Sequence, residues 1–413
     1  MPEDRWVTVK VGEVATVKGG KRLPDGYSLE TVTTCRPYIR VADMHQGGVD
    51  IGGVKFVPRG AMRQIEKYRI HEDDLFISVA GTLGIVGKIP PILDGANLTE
   101  NADRITDIKC DVDYLMYALQ SAAIQKEIDS IRTVGAQPKL ALGRIRSFEI
   151  SMPLAKMAQR RISSALRDAD DLIDCLERLI CKKQSIRQGL MQELLGARIR
   201  LNGYSRPWEK NFVAKESHLK ARIGWQGLTT GEYLLVGDYK LVGGTDFKDG
   251  RLDWKSASFV SKWRFEQDRN IQLRVNDVLL TKDGTIGKVA IVDSLPFPAT
   301  LNSGVFVIRP KGNAYNPRFL YWMLRSVAFE RFISSLSAGS TINHLYQKDL
   351  VTLALYFPPD LAEQRDIARI LDSAENEISA LKRRLKSARN IKQGMMQELL
   401  NGRTRLPVDE VTS

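Results

Sequence analysis

The sequence predicts an α+β protein built as an internal repeat: a globular unit with a small mixed sheet and helices, a long helix, then a second unit and a second long helix. Three observations carry this reading. Residues 159–201 recur at 364–406 without a gap, shifted by 205 positions. Both copies place apolar residues in a four-three alternation, the pattern of a coiled-coil seam. The stretches before each copy share an order of short apolar runs and glycine turns, so the repeat covers the globular units as well.

Within the repeat, Gln159-Arg160 falls on Gln364-Arg365, and Gln188-Gly189-Leu190-Met191-Gln192-Glu193-Leu194-Leu195 falls on Gln393-Gly394-Met395-Met396-Gln397-Glu398-Leu399-Leu400. The second copy carries Ile367, Leu371, Ala374, Ile378, Leu381, Leu385, Ala388, Lys392, Met395 and Leu399 along one stripe. The first carries Ile162, Leu166, Ala169, Ile173, Leu176, Ile180, Lys183, Arg187, Leu190 and Leu194, with basic residues where the second has Ala388 and Lys392. Each stripe predicts a helix of roughly 35 to 40 residues, about 50 to 60 Å long, more than a compact domain needs. Such helices hold other parts apart.

The predicted segments are a first globular unit at 1–153, a first spacer helix at 154–201, a second unit at 202–358, a second spacer helix at 359–406 and a tail at 407–413. In the first unit, Val7 to Val17 reads as a strand-like lead-in, and Arg36 to Val41 and Asp74 to Val79 as strands. Gly81 to Ile89 reads as a glycine turn feeding another strand. Tyr114 to Arg132 has the apolar spacing of one amphipathic helix. A polar turn at Gly135 to Lys139 and a short strand at Phe148 to Pro153 complete the unit. In the second unit, Tyr233 to Tyr239 matches Tyr38 to Met44, and Asn276 to Thr281 with Gly284 to Gly287 matches Asp73 to Ser78 with Gly81 to Gly84. Phe319 to Leu336 repeats the helix, Gly339 to Asn343 the polar turn and Leu353 to Pro358 the closing strand; Asn202 to Pro207 is the linker between halves.

A chain of 413 residues, 43% hydrophobic and 27% charged, can bury a sizeable core in two or three domains. It has no apolar run long enough for a membrane span and no export leader, which makes a cytoplasmic location the expectation. Cys35, Cys110, Cys175 and Cys181 form no CxxC pair and read as reduced structural thiols. The formal charge of +12 favours a polyanionic partner.

Motifs that would carry catalysis are missing. Gly81-Thr82-Leu83-Gly84 and Gly284-Thr285-Ile286-Gly287 match neither phosphate-binding loop pattern and open no helix, so they read as tight turns between strands. His45, His71, His218 and His344 lie far apart without metal-ligand spacing, and no metal site is expected. There is no GxSxG or comparable nucleophile grouping, and Phe357-Pro358-Pro359-Asp360 lacks the residue order of an amino-methyltransferase motif; no catalytic residue is expected. What remains is a set of polar and basic turn residues. In the first unit these are Lys18, Lys21, Arg22, Arg40, Lys88, Gln137 and Lys139; in the second, Lys240, Lys282, Lys288, Ser340, Thr341 and Asn343. Their donors and acceptors suit phosphates and base edges, which makes them candidate DNA contacts, with solvated surface as the competing reading.

The Pro-x5-Gln-Arg-x-Ile helix entries at Pro153/Gln159-Arg160-Ile162 and Pro358/Gln364-Arg365-Ile367, with the two matching helix exits, resemble the DNA-specificity subunit of type I restriction-modification systems. The resemblance covers essentially the whole chain. It implies two target recognition domains, each reading one half of a bipartite double-stranded DNA sequence, separated by spacer helices of the family's conserved-region type. Those helices would pair as an antiparallel coiled coil with pseudo-two-fold symmetry and set the gap between the halves. A dyad perpendicular to the DNA axis demands the same antiparallel arrangement. Two DNA methyltransferase subunits carrying S-adenosylmethionine, and two restriction-translocase subunits using ATP and Mg, are the implied partners, with no cofactor on this chain itself.

Helix pairing and partner docking are expected at Gln159, Arg160, Ile173, Leu176, Gln188, Met191, Gln192, Glu193 and Leu194, and at Gln364, Arg365, Ile378, Leu381, Gln393, Met396, Gln397, Glu398 and Leu399. Packing of each helix end against a globular half would hold the exit residues alike just as well. The competing functions are a combined restriction and methylation enzyme with an unrecognised catalytic site, and a coiled-coil adaptor that binds only proteins.

Overall fold

The computed structural model describes residues 5–132, 138–223, 227–336 and 344–406. The turn expected at 339–343, most of the turn expected at 135–139 and the tail expected at 407–413 lie outside these residues. Contacts divide the chain into two compact units, one made of Met1–Glu177 with Arg383–Ser413 and the other of Arg178–Lys382. Each unit thus combines one globular half with part of each long helix.

In the first unit the strand Trp6–Lys10 pairs antiparallel with Glu149–Pro153, from Trp6 opposite Pro153 to Lys10 opposite Glu149. This pairing brings the two ends of the globular half together just before the first long helix. Along Glu149–Pro153, Ile150 and Met152 are buried and Glu149 is exposed, the two-residue alternation of a strand with one covered face. Behind it stands an antiparallel sheet in the order Thr16–Gly19, Ala102–Thr106, Leu75–Ser78, Val86–Lys88. A second sheet contains Pro37–Ile39 beside Ala96–Leu98 in parallel. The second unit repeats the plan. Glu209–Phe212 pairs antiparallel with Ala354–Phe357, Val278–Thr281 lies between Val305–Pro310 and Val289–Ile291, and Tyr239–Val242 runs parallel to Ala299–Leu301.

The parallel pairs correct one expectation. Tyr38 and Ile39 face Asn97 and Leu98, and Leu241 and Val242 face Thr300 and Leu301, so the counterpart of Tyr38 is Leu241 rather than Tyr233. Residues 233–239 match Tyr38 to Met44 in apolar pattern but hold a different place. Leu235 and Val236 are 95% and 83% exposed, and the match arose because surface apolar residues there mimic a strand. Two capped carboxylates confirm the new register: Asp43 accepts from the backbone of Arg40 at 2.9 Å, and Asp246 from that of Gly243 at 2.8 Å.

The single helix expected at 114–132 is two, Val112–Leu119 and Ala122–Arg132, and the one expected at 319–336 is Pro317–Met323 followed by Val327–Leu336. In the first pair every residue from Tyr114 to Leu119 is buried, whereas the following helix is partly exposed. A break lets the second helix turn away and keep its polar face in water. Asp111 and Asn316 cap the first helix of each pair by accepting from the backbone of Tyr114 at 2.9 Å and Phe319 at 3.1 Å.

The long helices run over Lys156–Leu195 and Leu361–Leu399. Ile162, Leu166, Ile173, Leu176 and Ile180 are buried, as are Ile367, Leu371, Ile378, Leu381 and Ala388. The basic seam residues find acids on the facing helix: Lys183 pairs with Glu377 at 2.7 Å and Arg187 with Glu375 in the second unit, and Lys392 pairs with Asp170 in the first. In the first unit Asp170 meets Lys392 and Glu177 meets Arg389; in the second, Lys183 meets Glu377 and Arg187 meets Glu375. Rising numbers on one helix meet falling numbers on the other, so the helices are antiparallel in both units.

The entry motif has a structural cause. Gln159 is 1% exposed; its amide donates to the carbonyl of Pro153 at 2.7 Å, and its Oε1 accepts from the backbone N–H of Asp111 at 2.8 Å. Gln364, 2% exposed, does the same with Pro358 at 2.8 Å and Asn316 at 2.7 Å. One side chain therefore ties the end of the closing strand, the cap of a domain helix and the first turn of the long helix. Replacing Gln159 with Leu keeps the volume but orphans a buried carbonyl and a partly buried N–H, at a cost of about 1 to 3 kcal/mol. Denaturant unfolding of Gln159→Leu is expected to show that loss.

Candidate nucleic-acid interface

The glycine turns come first because both units build them alike. Gly81 and Gly84 have φ of +76° and +80°, and Gly284 and Gly287 have +67° and +85°, values that side-chain-bearing residues rarely adopt. The hydroxyl of Ser78 donates to the carbonyl of Thr82 at 2.6 Å and accepts from the N–H of Ile85 at 2.8 Å. Thr281 donates to Thr285 at 2.5 Å and accepts from Lys288 at 2.9 Å. The loops are tight turns locked by a hydroxyl, as their sequence predicts. Among the described residues no group of three or more His, Cys, Asp or Glu could hold a metal ion, and no helix is long and apolar enough to cross a membrane.

Of the predicted contacts in the first unit, Lys21, Arg22 and Lys139 come together. They line a cleft of about 590 Å³ whose wall includes Gly19, Gly20, Glu100 and Asp103. Gly20 is obligatory there, since a Cβ would lie 2.0 Å from the carbonyl oxygen of Thr99. Lys21 and Arg22 are exposed, and Lys18, on the neighbouring strand, pairs with Asp107 at 3.4 Å. Arg40 is otherwise engaged: its guanidinium grips Asp43 and donates to the carbonyl of Gly53 at 2.7 Å. Gln137 lies outside the described residues.

Lys88 belongs to an ion-pair trio. It meets Asp113 at 3.0 Å, and Asp113 in turn meets Arg167 on the first long helix. At the positions equivalent to Asp113 and Arg167 the second unit has Arg318 and Asp372, which pair with each other, and Arg318 also meets Asp293, two residues beyond Ile291, the strand counterpart of Lys88. The contact between globular half and long helix is thus made twice with its two charges exchanged. Docked on the helix segment of the other, either half would bring like charges together.

In the second unit Lys240 is 4% exposed, donates to the carbonyl of Ala257 at 2.5 Å and lies 3.6 Å from the centre of the Phe259 ring. Its charge is spent inside the domain. Lys282 lies 5.6 Å from the Phe306 ring and Lys288 is exposed, while Ser340, Thr341 and Asn343 lie outside the described residues.

The helix-pairing set divides by burial. Ile173, Leu176, Ile378 and Leu381 fill the seam, and Gln159 and Gln364 are the buried ties, with Arg160 and Arg365 exposed beside them. Met191 and Leu194 enter the core of the second unit, and Leu399 that of the first, with Met396 packed against it. Glu193 pairs with Arg198 at 3.4 Å and Glu398 with Arg403 at 3.9 Å. Packing against a globular half thus accounts for the apolar part of the exits. Gln188, Gln192, Gln393 and Gln397 are exposed in both copies.

A sequence model described as the type I restriction modification DNA specificity domain matches residues 3–182 and 228–388. The chain belongs to that family. The MjaVIII specificity subunit of Methanocaldococcus jannaschii, a type I restriction enzyme subunit, is 23% identical over 434 residues, covering 98% of this chain and 94% of its own. The EcoBI specificity subunit of Escherichia coli is 19% identical over 427 residues, covering 97% and 86%. The S subunit of a type I restriction-modification system from M. genitalium shares the fold, with a TM-score of 0.64 at 16% identity over 97% of each chain.

In this specificity-family chain, sequence reasoning missed Asp103, because only basic and neutral polar residues were sought. It stands on Ala102–Thr106 opposite Gly19 and Ile77 and is 5% exposed. Among the described residues no hydrogen bond or ion pair reaches its carboxylate. Burial pushes the carboxyl up to about 6, against the opposing pull of Lys139 and Arg146. A folded value near 6 against 3.8 unfolded means the penalty is absent below about pH 4 and grows as pH rises through 6. Asp103→Asn is therefore expected to stabilise the chain at pH 7.5 by on the order of 2 kcal/mol, a gain that vanishes below about pH 4. Unfolding curves at the two pH values read the difference.

Proposed function

We propose that this chain is the sequence-reading subunit of a type I restriction-modification complex and that each globular half reads one part of a split DNA sequence. The observation that carries the reading is the duplication itself: two units with one plan, each tied by a buried glutamine to its own long helix, and with different residues on their turns. A protein that must recognise two different stretches at one separation needs such a design. The cleft of Lys21, Arg22 and Lys139 supplies phosphate and base contacts in the first half, and Lys282 and Lys288 are the candidate contacts of the second.

In this reading the chain is itself non-catalytic. Two methyltransferase subunits bring S-adenosylmethionine, and two restriction-translocase subunits bring ATP and Mg. The exposed glutamines at the helix exits are part of the docking surface, and the complex works in the cytoplasm. The paired helices set the gap.

The test uses the full chain with its methyltransferase partner and duplex libraries. Binding is expected at one split sequence, with affinity falling steeply as salt rises, because phosphate contacts release counterions. Equal binding to all duplexes would contradict it. Inserting one heptad into both long helices, after residues 177 and 382, lengthens each by about 10 Å, close to three base pairs at 3.4 Å. The preferred gap should grow by about that amount with both half-sequences unchanged; altered half-sequences at an unaltered gap would overturn the ruler.

A further inference from the structure

A buried carboxylate without a partner is costly, and chains keep one where a bound ligand will satisfy it. Asp103 is such a group: it is 5% exposed, and among the described residues nothing bonds its carboxylate. It lines the cleft that Lys21, Arg22 and Lys139 border, and glycine at Gly19 and Gly20 leaves the backbone beside it bare. Its strand neighbours fix the direction it faces: Asp103 lies opposite Gly19 on one side and Ile77 on the other.

The matching place in the second unit is Phe306, opposite Leu280 and Ala221 and 4% exposed. The strands on either side correspond closely, yet one unit buries a carboxylate there and the other a phenyl ring. A residue needed only for the fold would be apolar in both.

We infer that Asp103 is a specificity-determining residue of the first unit, accepting a hydrogen bond from the exocyclic amino group of a cytosine. This rests on the DNA-reading function proposed above. An ionised carboxylate only accepts, and in the major groove the cytosine N4 amino group is the donor that such an acceptor suits. The adenine amino group adjoins the N7 acceptor, which repels a carboxylate. The guanine paired to that cytosine presents O6 and N7, acceptors for a Lys or Arg. Lys21, Arg22 and Lys139 surround Asp103 with the donors that complement this edge and the flanking phosphates. Glu100 is the other acid of the cleft, and Arg146, whose Nη2 donates to the carbonyl of Val17 at 2.9 Å, adds a positive charge near Asp103.

The test selects duplexes from a randomised library with the full chain and its methyltransferase partner, comparing wild type with Asp103→Asn and Asp103→Ser. Thermal melting of each variant checks folding, and the isosteric Asn removes the buried charge without a change of shape. Both variants should still select a split sequence, keep the second half-sequence and the gap, and lose cytosine preference at one position of the first half by about tenfold or more. Variants that melt no lower than wild type and select the same sequence with undiminished preference at every position would overturn the role of Asp103 while leaving DNA reading intact. Wild-type complex that selects no sequence would instead remove the function on which the inference rests.

Discussion

The side chains of Gln159 and Gln364 are the contacts on which each unit turns. A globular half attached to a helix by a single peptide link would swing; here the first turn of the long helix holds both the strand it follows and the cap of a helix in the half. In each tie the bond to the proline carbonyl is buried, where competing water is excluded and an unmade bond is most costly, and the bond to the helix cap is partly buried. The direction of each half relative to its helix is therefore set within one turn of that helix.

Around the tie, other contacts sharpen the arrangement. The reversed ion-pair trios, Lys88, Asp113 and Arg167 against Asp293, Arg318 and Asp372, distinguish two halves whose helix ends are nearly identical in sequence. Partly exposed pairs of this kind add little to stability, but mismatched ones repel, so they serve to choose between similar partners. The basic residues in the helix seam act similarly. Lys183, Arg187 and Lys392 would weaken a purely apolar coiled coil, yet each meets an acid on the facing helix and so specifies the register.

Much of this was legible in the sequence because it repeats. A gapless match between residues 159–201 and 364–406 exposes the helices, their seam and the entry glutamines without any structure. The glycine turns were readable too, since positive φ restricts what can stand there. The register of the second half was not: exposed Leu235 and Val236 imitate a strand, and pattern cannot tell a surface apolar residue from a buried one. Of the candidate contacts, Lys240 and Arg40 turned inward to partners that are distant or unremarkable in sequence, and Asp103 was passed over because only burial makes a lone carboxylate notable.

What the two units share is their frame, and what differs between them, from Asp103 against Phe306 to the turn residues, lies where DNA would be read. The most direct measurement is the position of modified adenines in the DNA of cells carrying this chain and its partner subunits. Two fixed short sequences flanking a constant run of unread bases are the expected result. Modification at one unbroken motif, or with a gap that varies from site to site, would contradict it.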